Sequence, residues 1–473
     1  MRGETGVRSK VDVNICNTGK VLTSFPTFPP LNSPAMSISL AKENLITRTV
    51  VPLLLVTLCP PFAMLLWYTN AHLGGSLLLL GQTIAGEGLW QVLYDAWFVR
   101  FFGSTTAWAM IAVMAVLQLA MMKLLPGKAF TGTITPMGNL PVYKDNGLAS
   151  YLITFALFLG ASVGLGWFSP GIVYHHFGEL LAALNISALV FCLLLYFKGK
   201  HVPSTTDSGT SGNFIFDYYW GTELYPRIAG WDVKMFTNCR FGMTGWAIAV
   251  TSYAFAQHEL YGTADWSIIV SAALIVIYLG KFFIWEAGYM RSMDIIVDRA
   301  GFYICWGCLV WVPAVYTLPV QFMVGHPVGL SFGWAAVIFI FGLAAIFINY
   351  WADRQRQQVR ATDGDTFIWG KKPKLIRAEY LTDTGERKEN LLLASGFWGI
   401  SRHFHYVPEL SAAFLWSCAT GFTYIMPFFY VIFLTVLLFH RAFRDDEKCR
   451  RKYGKYWEEY CKAVPYKVIP GVV

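Results

Sequence analysis

The sequence predicts an all-α, polytopic integral membrane protein of about ten transmembrane helices, and three observations carry that prediction. Only 14% of its 473 residues are charged and 55% are hydrophobic, where a soluble domain carries roughly a quarter charged residues. Mean hydropathy is +0.46, so a soluble chain of this length would lack the polar residues to cover its surface. Several long intervals contain no Asp, Glu, Lys or Arg; one runs 53 residues from Ala300 to Ala352, and a helix needs about 20 apolar residues to cross the hydrocarbon core.

Taken in order, the first 45 residues are rich in Ser, Thr and Pro and read as a disordered tail, with no apolar run of the kind a signal peptide needs. The first span covers about Thr49 to Tyr68 and the second lies between Arg100 and Lys123. Two more fill the interval from Asn146 to Phe197, separated by Trp167-Phe168-Ser169-Pro170-Gly171, a turn placed where the backbone can meet water. Spans follow between Arg240 and Glu259 and over Trp266 to Trp285. The interval from Ala300 to Ala352 holds two, joined at Gly325-His326-Pro327, and the 31 residues from Leu410 to His440 form a hairpin about Met426-Pro427. An amino-terminal helical region (46–240) and a carboxyl-terminal one (241–473) are thus expected.

Basic residues in short loops stay on the cytosolic side. With a cytosolic amino terminus, 36 of the 37 Lys and Arg fall in cytosolic segments, and only Arg100 lies outside. Nineteen of them sit in two segments flanking the last hairpin, Asp353 to Glu409 and Arg441 to the end. The net charge of +8, which in a soluble chain could point to nucleic acid, is therefore assigned to topology; no nucleic-acid partner is expected.

Ionisable residues at membrane depth are expensive and mark function or a polar network. Near the sixth span these are Tyr278, Lys281, Glu286, Tyr289, Asp294 and Asp298. Arg356 and Arg360 are one helical turn apart, a spacing that suits a phosphate dianion. No Gly-x-Gly-x-x-Gly follows a strand and no P-loop sequence occurs, so a nucleotide would bind outside those folds. Cys305-x-x-Cys308 lies inside an apolar segment without a second pair and reads as packing; no metal is expected.

Longer motifs go further. GNFIFDYYWGTELYPR (Gly212 to Arg227) and LLFHRAFRDDEKCRRKYGKYWEEY (Leu437 to Tyr460) resemble the two signatures of the sterol reductase family. SGFWGISRHFHYVPEL (Ser395 to Leu410), DRAGFYICWGCLVWVP (Asp298 to Pro313) and VPYKVIPG near the end most resemble its plant and algal members that reduce the Δ7 bond of Δ5,7-sterols. The resemblance covers about residue 45 to the end. It implies a bundle of about ten helices in the endoplasmic reticulum membrane, with an NADPH pocket open to the cytosol in the carboxyl-terminal half. It also implies a sterol taken from the bilayer, cytosolic termini and a place beside other enzymes of sterol biosynthesis. By the same resemblance Arg356 and Arg360 hold the 2′-phosphate and its neighbour. Trp398, Arg402 and an Arg441/Asp445 pair line the pocket, and Tyr453 and Tyr460 contact the cofactor. Tyr278 is the proton-donor candidate, Asp445 flanks the sterol–nicotinamide junction, and Glu286 and Asp294 match acidic family positions. Three departures stand out: Val297 where members carry His, Cys308 where many carry Asp, and Asp353 where Asn is frequent. Δ14-sterol reduction, or sterol binding without catalysis, is the alternative within this resemblance.

Overall fold

The charge-free intervals become helices whose ends fall at the expected turn residues. The structure is a computed structural model describing residues 45–135, 137–381 and 387–472; the expected disordered tail, apart from Leu45, lies outside the described residues. The long helices are α1 (Ile46–His72), α2 (Thr105–Leu124), α3 (Gly147–Gly164), α4 (Phe177–His201), α5 (235–261), α6 (Trp266–Ile284), α7 (Phe302–Gly325), α8 (Phe332–Ala361), α9 (Tyr406–Cys418) and α10 (Met426–Tyr453). Eight of these, all but α5 and α9, are long and apolar enough to cross a membrane.

The other two complete the bundle without meeting that standard. Helix α5 carries Asn238, Arg240, Gln257 and Glu259 along its length, and α9 has 13 residues. The hairpin expected from Leu410 to His440 is present, with α10 starting at Met426-Pro427. The helices Leu77–Glu87 and Leu89–Ala96, of 11 and 8 residues, went unmarked by the sequence because each falls short of the length a span needs. Position 240 falls inside the continuous run of α5, and one apolar core extends from Ala63 to Leu438, so the two expected regions share a single core.

Leu54, Leu58, Val113, Val116, Leu194, Ile340, Phe341 and Val436 point outward, as a lipid-facing surface requires. Between helices, side-chain hydrogen bonds supply specificity: Asn70 to Gln321 at 2.8 Å, Gln118 to Thr154 at 2.8 Å and Trp306 to Asn185 at 2.9 Å. The close approach of Gly221 and Gly301 fixes the first signature against the loop that opens α7. Gly221 has φ +100, and a Cβ on it would sit 2.5 Å from the Ala300 carbonyl carbon.

At the basic end, α8 continues as far as Ala361 and α10 as far as Tyr453, which leads into α11 (Lys455–Ala463). An antiparallel hairpin, β1 (Leu375–Leu381) with β2 (Arg387–Leu393), covers them. Ile376, Ala378 and Leu392 of the hairpin pack against Tyr453, Trp457, Tyr460 and Val464. The two richest basic segments of the sequence therefore fold into one cap.

Candidate active site

Beneath that cap lies a cavity of about 1170 Å³, larger than the roughly 300–1,000 Å³ of a pocket for one small ligand. Helix α10 lines it from Tyr430 through Phe433, Leu437, Arg441, Asp445 and Cys449 to Tyr453. At 1.5 Å per residue this is a wall about 35 Å long. Its two ends differ in chemistry. The cap end carries Arg356, Arg360, Lys448 and Lys452 with Trp398, Tyr453, Trp457 and Tyr460; the membrane end carries Leu55, Cys59, Trp306, Trp311 and Phe433.

Arg356 and Arg360 line the same cavity, as their spacing predicts. The Arg356 guanidinium stacks 4.2 Å from the Trp398 ring centre and lies 3.6 Å from Asp353, while the Trp398 indole is fixed by donating to the Ala352 carbonyl at 2.7 Å. Tyr453 accepts from the Asn390 amide at 2.7 Å, and the Tyr460 hydroxyl reaches the Trp398 carbonyl at 3.4 Å. Burial pushes the Tyr460 phenol up, so it remains a neutral donor.

The other basic residues have partners that the sequence did not disclose. Arg402 reaches the cavity wall but donates to the carbonyls of Val464 and Pro465 at 2.7 and 2.9 Å and pairs with Asp446 at 3.5 Å, so it clamps the carboxyl-terminal segment. Arg441 does not pair with Asp445. It pairs with Asp294, because the loop before α7 comes closer than the next turn of its own helix. Asp445 instead lies 3.6 Å from His403. The segment carrying Asp294, which lies in the short helix Met293–Ile296, is itself held by Lys234, a buried ammonium that donates to the carbonyls of Ile295 at 2.6 Å and Asp298 at 2.8 Å.

Tyr278 lines the middle of the cavity, packed beside Trp246 and Trp416 at ring-centre distances of 6.1 and 5.5 Å. Its hydroxyl donates to the Glu409 carboxylate, and Lys281 donates to Asn349. Glu409 escaped the sequence reading; its signal there was its place as the last charge before the uncharged interval of α9 and α10. Glu286 is not brought to the cavity. It is fully buried beside α3 and paired with Arg240, whose other nitrogen reaches Asn146 at 2.9 Å. Of the three departures, Cys308 and Asp353 line the cavity and Val297 does not.

His403 and His405 stand between the two ends. Burial holds the His403 imidazole well below its ordinary value of 6.5, assisted by His405, Arg356 and Arg402 against the pull of Asp446. A histidine held neutral when folded contributes stability that is present above the unfolded value and is lost as pH falls through about 6.5 toward the folded value. Thermal unfolding in detergent should therefore show wild type losing more stability than His403→Asn as pH falls through that range. Parallel slopes would show that His403 contributes nothing to the pH response.

Residues 51–473 match the Ergosterol biosynthesis ERG4/ERG24 family. A 7-dehydrocholesterol reductase of Arabidopsis thaliana is 50% identical over 419 residues, covering 88% of this chain and 96% of its own. One from Xenopus laevis is 38% identical over 343 residues, 72% of each chain. A Delta(14)-sterol reductase of Methylotuvimicrobium alcaliphilum is 33% identical over 421 residues, covering 89% of this chain and 94% of its own.

Proposed function

The chain belongs to the ERG4/ERG24 family of sterol reductases, and from that premise we propose that it reduces the Δ7 (C7–C8) double bond of 7-dehydrocholesterol or a related Δ5,7-sterol, with NADPH as the reductant. The observation that carries this reading is the single cavity with a cationic, aromatic end and an apolar end, and Tyr278 between them. Such a cavity accommodates a phosphorylated dinucleotide and a sterol head to tail. The cytosol is the side we assign to the cap and both termini, in an endoplasmic reticulum membrane, because basic segments stay on that face.

The residues present fit NADPH. Arg356 and Arg360 offer two guanidinium groups one turn apart for the 2′-phosphate and a neighbouring phosphate, with Lys448 of α10 lining the same cavity. Trp398, Tyr453 and Tyr460 offer ring faces and hydroxyls, and the buried His403 Nε2 has no hydrogen-bond partner among the described residues. Bound there, NADPH supplies a hydride.

The protein's own contribution begins with the alkene. An isolated double bond is a poor hydride acceptor, so Tyr278 first gives its hydroxyl proton to one alkene carbon. The resulting cation is allylic in a Δ5,7-diene. The indoles of Trp246 and Trp311 on the cavity wall stabilise positive charge by their ring faces, and the apolar end keeps water from the cation. Arg441, held by Asp294, and Asp445 stand where the two ligands would meet, so they orient the reacting ends.

Membranes containing the protein, incubated with 7-dehydrocholesterol and NADPH and followed by mass analysis of the sterols, should yield the Δ7-reduced product. Exclusive reduction of a Δ14 substrate would replace this reading with the alternative. Replacing Arg356 or Arg360 by Ala is expected to raise the NADPH requirement and narrow the preference over NADH. Loss of a charge-assisted pair of about 1.5–3 kcal/mol corresponds to roughly 10- to 150-fold in apparent affinity. An unchanged NADPH/NADH ratio would remove these arginines from the 2′-phosphate.

A further inference from the structure

If Tyr278 gives up a proton in every catalytic cycle, a proton must return to its oxygen before the next. We propose that Glu409 returns it, acting through Tyr278 as a relay that is reloaded from the cap end of the cavity. The proposal rests on the reading of Tyr278 as the acid.

The geometry supplies the contact. The Tyr278 hydroxyl is hydrogen-bonded to a carboxyl oxygen of Glu409, and both side chains line the cavity. Glu409 sits in the first turn of α9, and the groups facing it come from every neighbouring helix: Lys281 from α6, Tyr316 from α7, Asp353 from α8, Tyr406 from α9 and Tyr430 from α10. Lys281 is fixed in place by Asn349, whose amide donates to the His405 carbonyl at 2.8 Å. One ammonium thus faces two carboxyls, Glu409 toward the sterol end and Asp353 toward Arg356 and the cap. Asp353 already faces the Arg356 guanidinium at 3.6 Å, so of the two carboxyls Glu409, set against the Tyr278 phenol, is the one placed to hold a proton.

The step balances. The Tyr278 O–H bond breaks as a C–H bond forms on the sterol, and hydride capture neutralises the cation, leaving a phenolate. The carboxylic O–H of Glu409 then breaks as that of Tyr278 forms again. The carboxylate left behind takes a proton delivered from the aqueous end past Asp353.

Rapid-quench kinetics of the purified enzyme with NADPH and 7-dehydrocholesterol tests this. Glu409→Gln should complete a first turnover near the wild-type rate, because Tyr278 starts protonated. It should then turn over about 10²-fold more slowly, with tyrosinate absorbance persisting between turnovers and the KM for NADPH unchanged. Glu409→Asp, which keeps a carboxyl, should recover most of the steady-state rate. A Glu409→Gln enzyme whose first and later turnovers match wild type overturns the relay, as does one that loses both equally while binding NADPH normally. Should that variant not accumulate, wild type decides the same point. A solvent isotope effect larger in the steady state than in the first turnover supports the relay, and equal effects overturn it. Tyr278→Phe separates the two readings: full turnover there removes Tyr278 as the acid, whereas an inactive Tyr278→Phe beside a Glu409→Gln without a burst removes the relay alone.

Discussion

Tyr278→Phe is expected to lower sterol reduction by about 10²–10⁴-fold, the usual contribution of a positioned general acid, with little change in NADPH affinity. The separation of effects follows from position. Tyr278 is on α6 among Trp246, Trp416 and Glu409, whereas Arg356, Arg360, Trp398, Tyr453 and Tyr460 surround the cap end. Phenylalanine keeps the ring contacts and removes only the hydroxyl, so packing is nearly conserved. The Glu409 carboxyl loses one hydrogen-bond donor and retains Lys281 as its neighbouring charge. Steady-state assays on the purified variant should therefore show a depressed kcat with the KM for NADPH close to wild type. Full turnover with NADPH bound normally would place the acid elsewhere, and Asp445 would be the next residue to test.

Helix positions were legible because lipid imposes a one-dimensional rule: charge is excluded over about 20 residues. Gly325-His326-Pro327 does separate α7 from α8, and Met426-Pro427 does open α10. Arg356 and Arg360 were legible for a related reason, since a helix fixes which residues share a side. Partnerships between distant segments were not. The resemblance paired Asp445 with Arg441, but Asp294, 147 positions away in sequence, takes the guanidinium. Arg402 looked like a ligand-binding cation, and its donors go mainly to backbone carbonyls of the carboxyl-terminal segment. Lys234 and Glu409 drew no notice because a single charge at the border of an apolar run resembles a topology marker. Only the fold shows Lys234 buried against a loop and Glu409 hydrogen-bonded to a phenol of the cavity wall.

Glu286 gives the second large effect, and of a different kind: Glu286→Ala is expected to cost about 3–5 kcal/mol of stability and to deplete folded protein, not to slow a well-folded enzyme. Glu286 and Arg240 are both 0% exposed and paired. Truncating the carboxylate strands a guanidinium with no route to water. The pair is also a joint between four elements. Arg240 on α5 donates to Asn146, whose amide reaches the carbonyls of Met121 and Leu125 at the end of α2 at 3.3 and 3.1 Å. Gly147, the first residue of α3, packs so closely that a Cβ there would clash with both the Arg240 and the Glu286 side chains. Replacing both charges, as Arg240→Met with Glu286→Met, should recover much of the loss, because the cost lies in leaving one charge unpaired. Yield and thermal unfolding in detergent distinguish this from a catalytic role. A Glu286→Ala protein that melts like wild type and fails to reduce sterol would return Glu286 to the chemistry; one that melts early and recovers in the double variant assigns it to the joint.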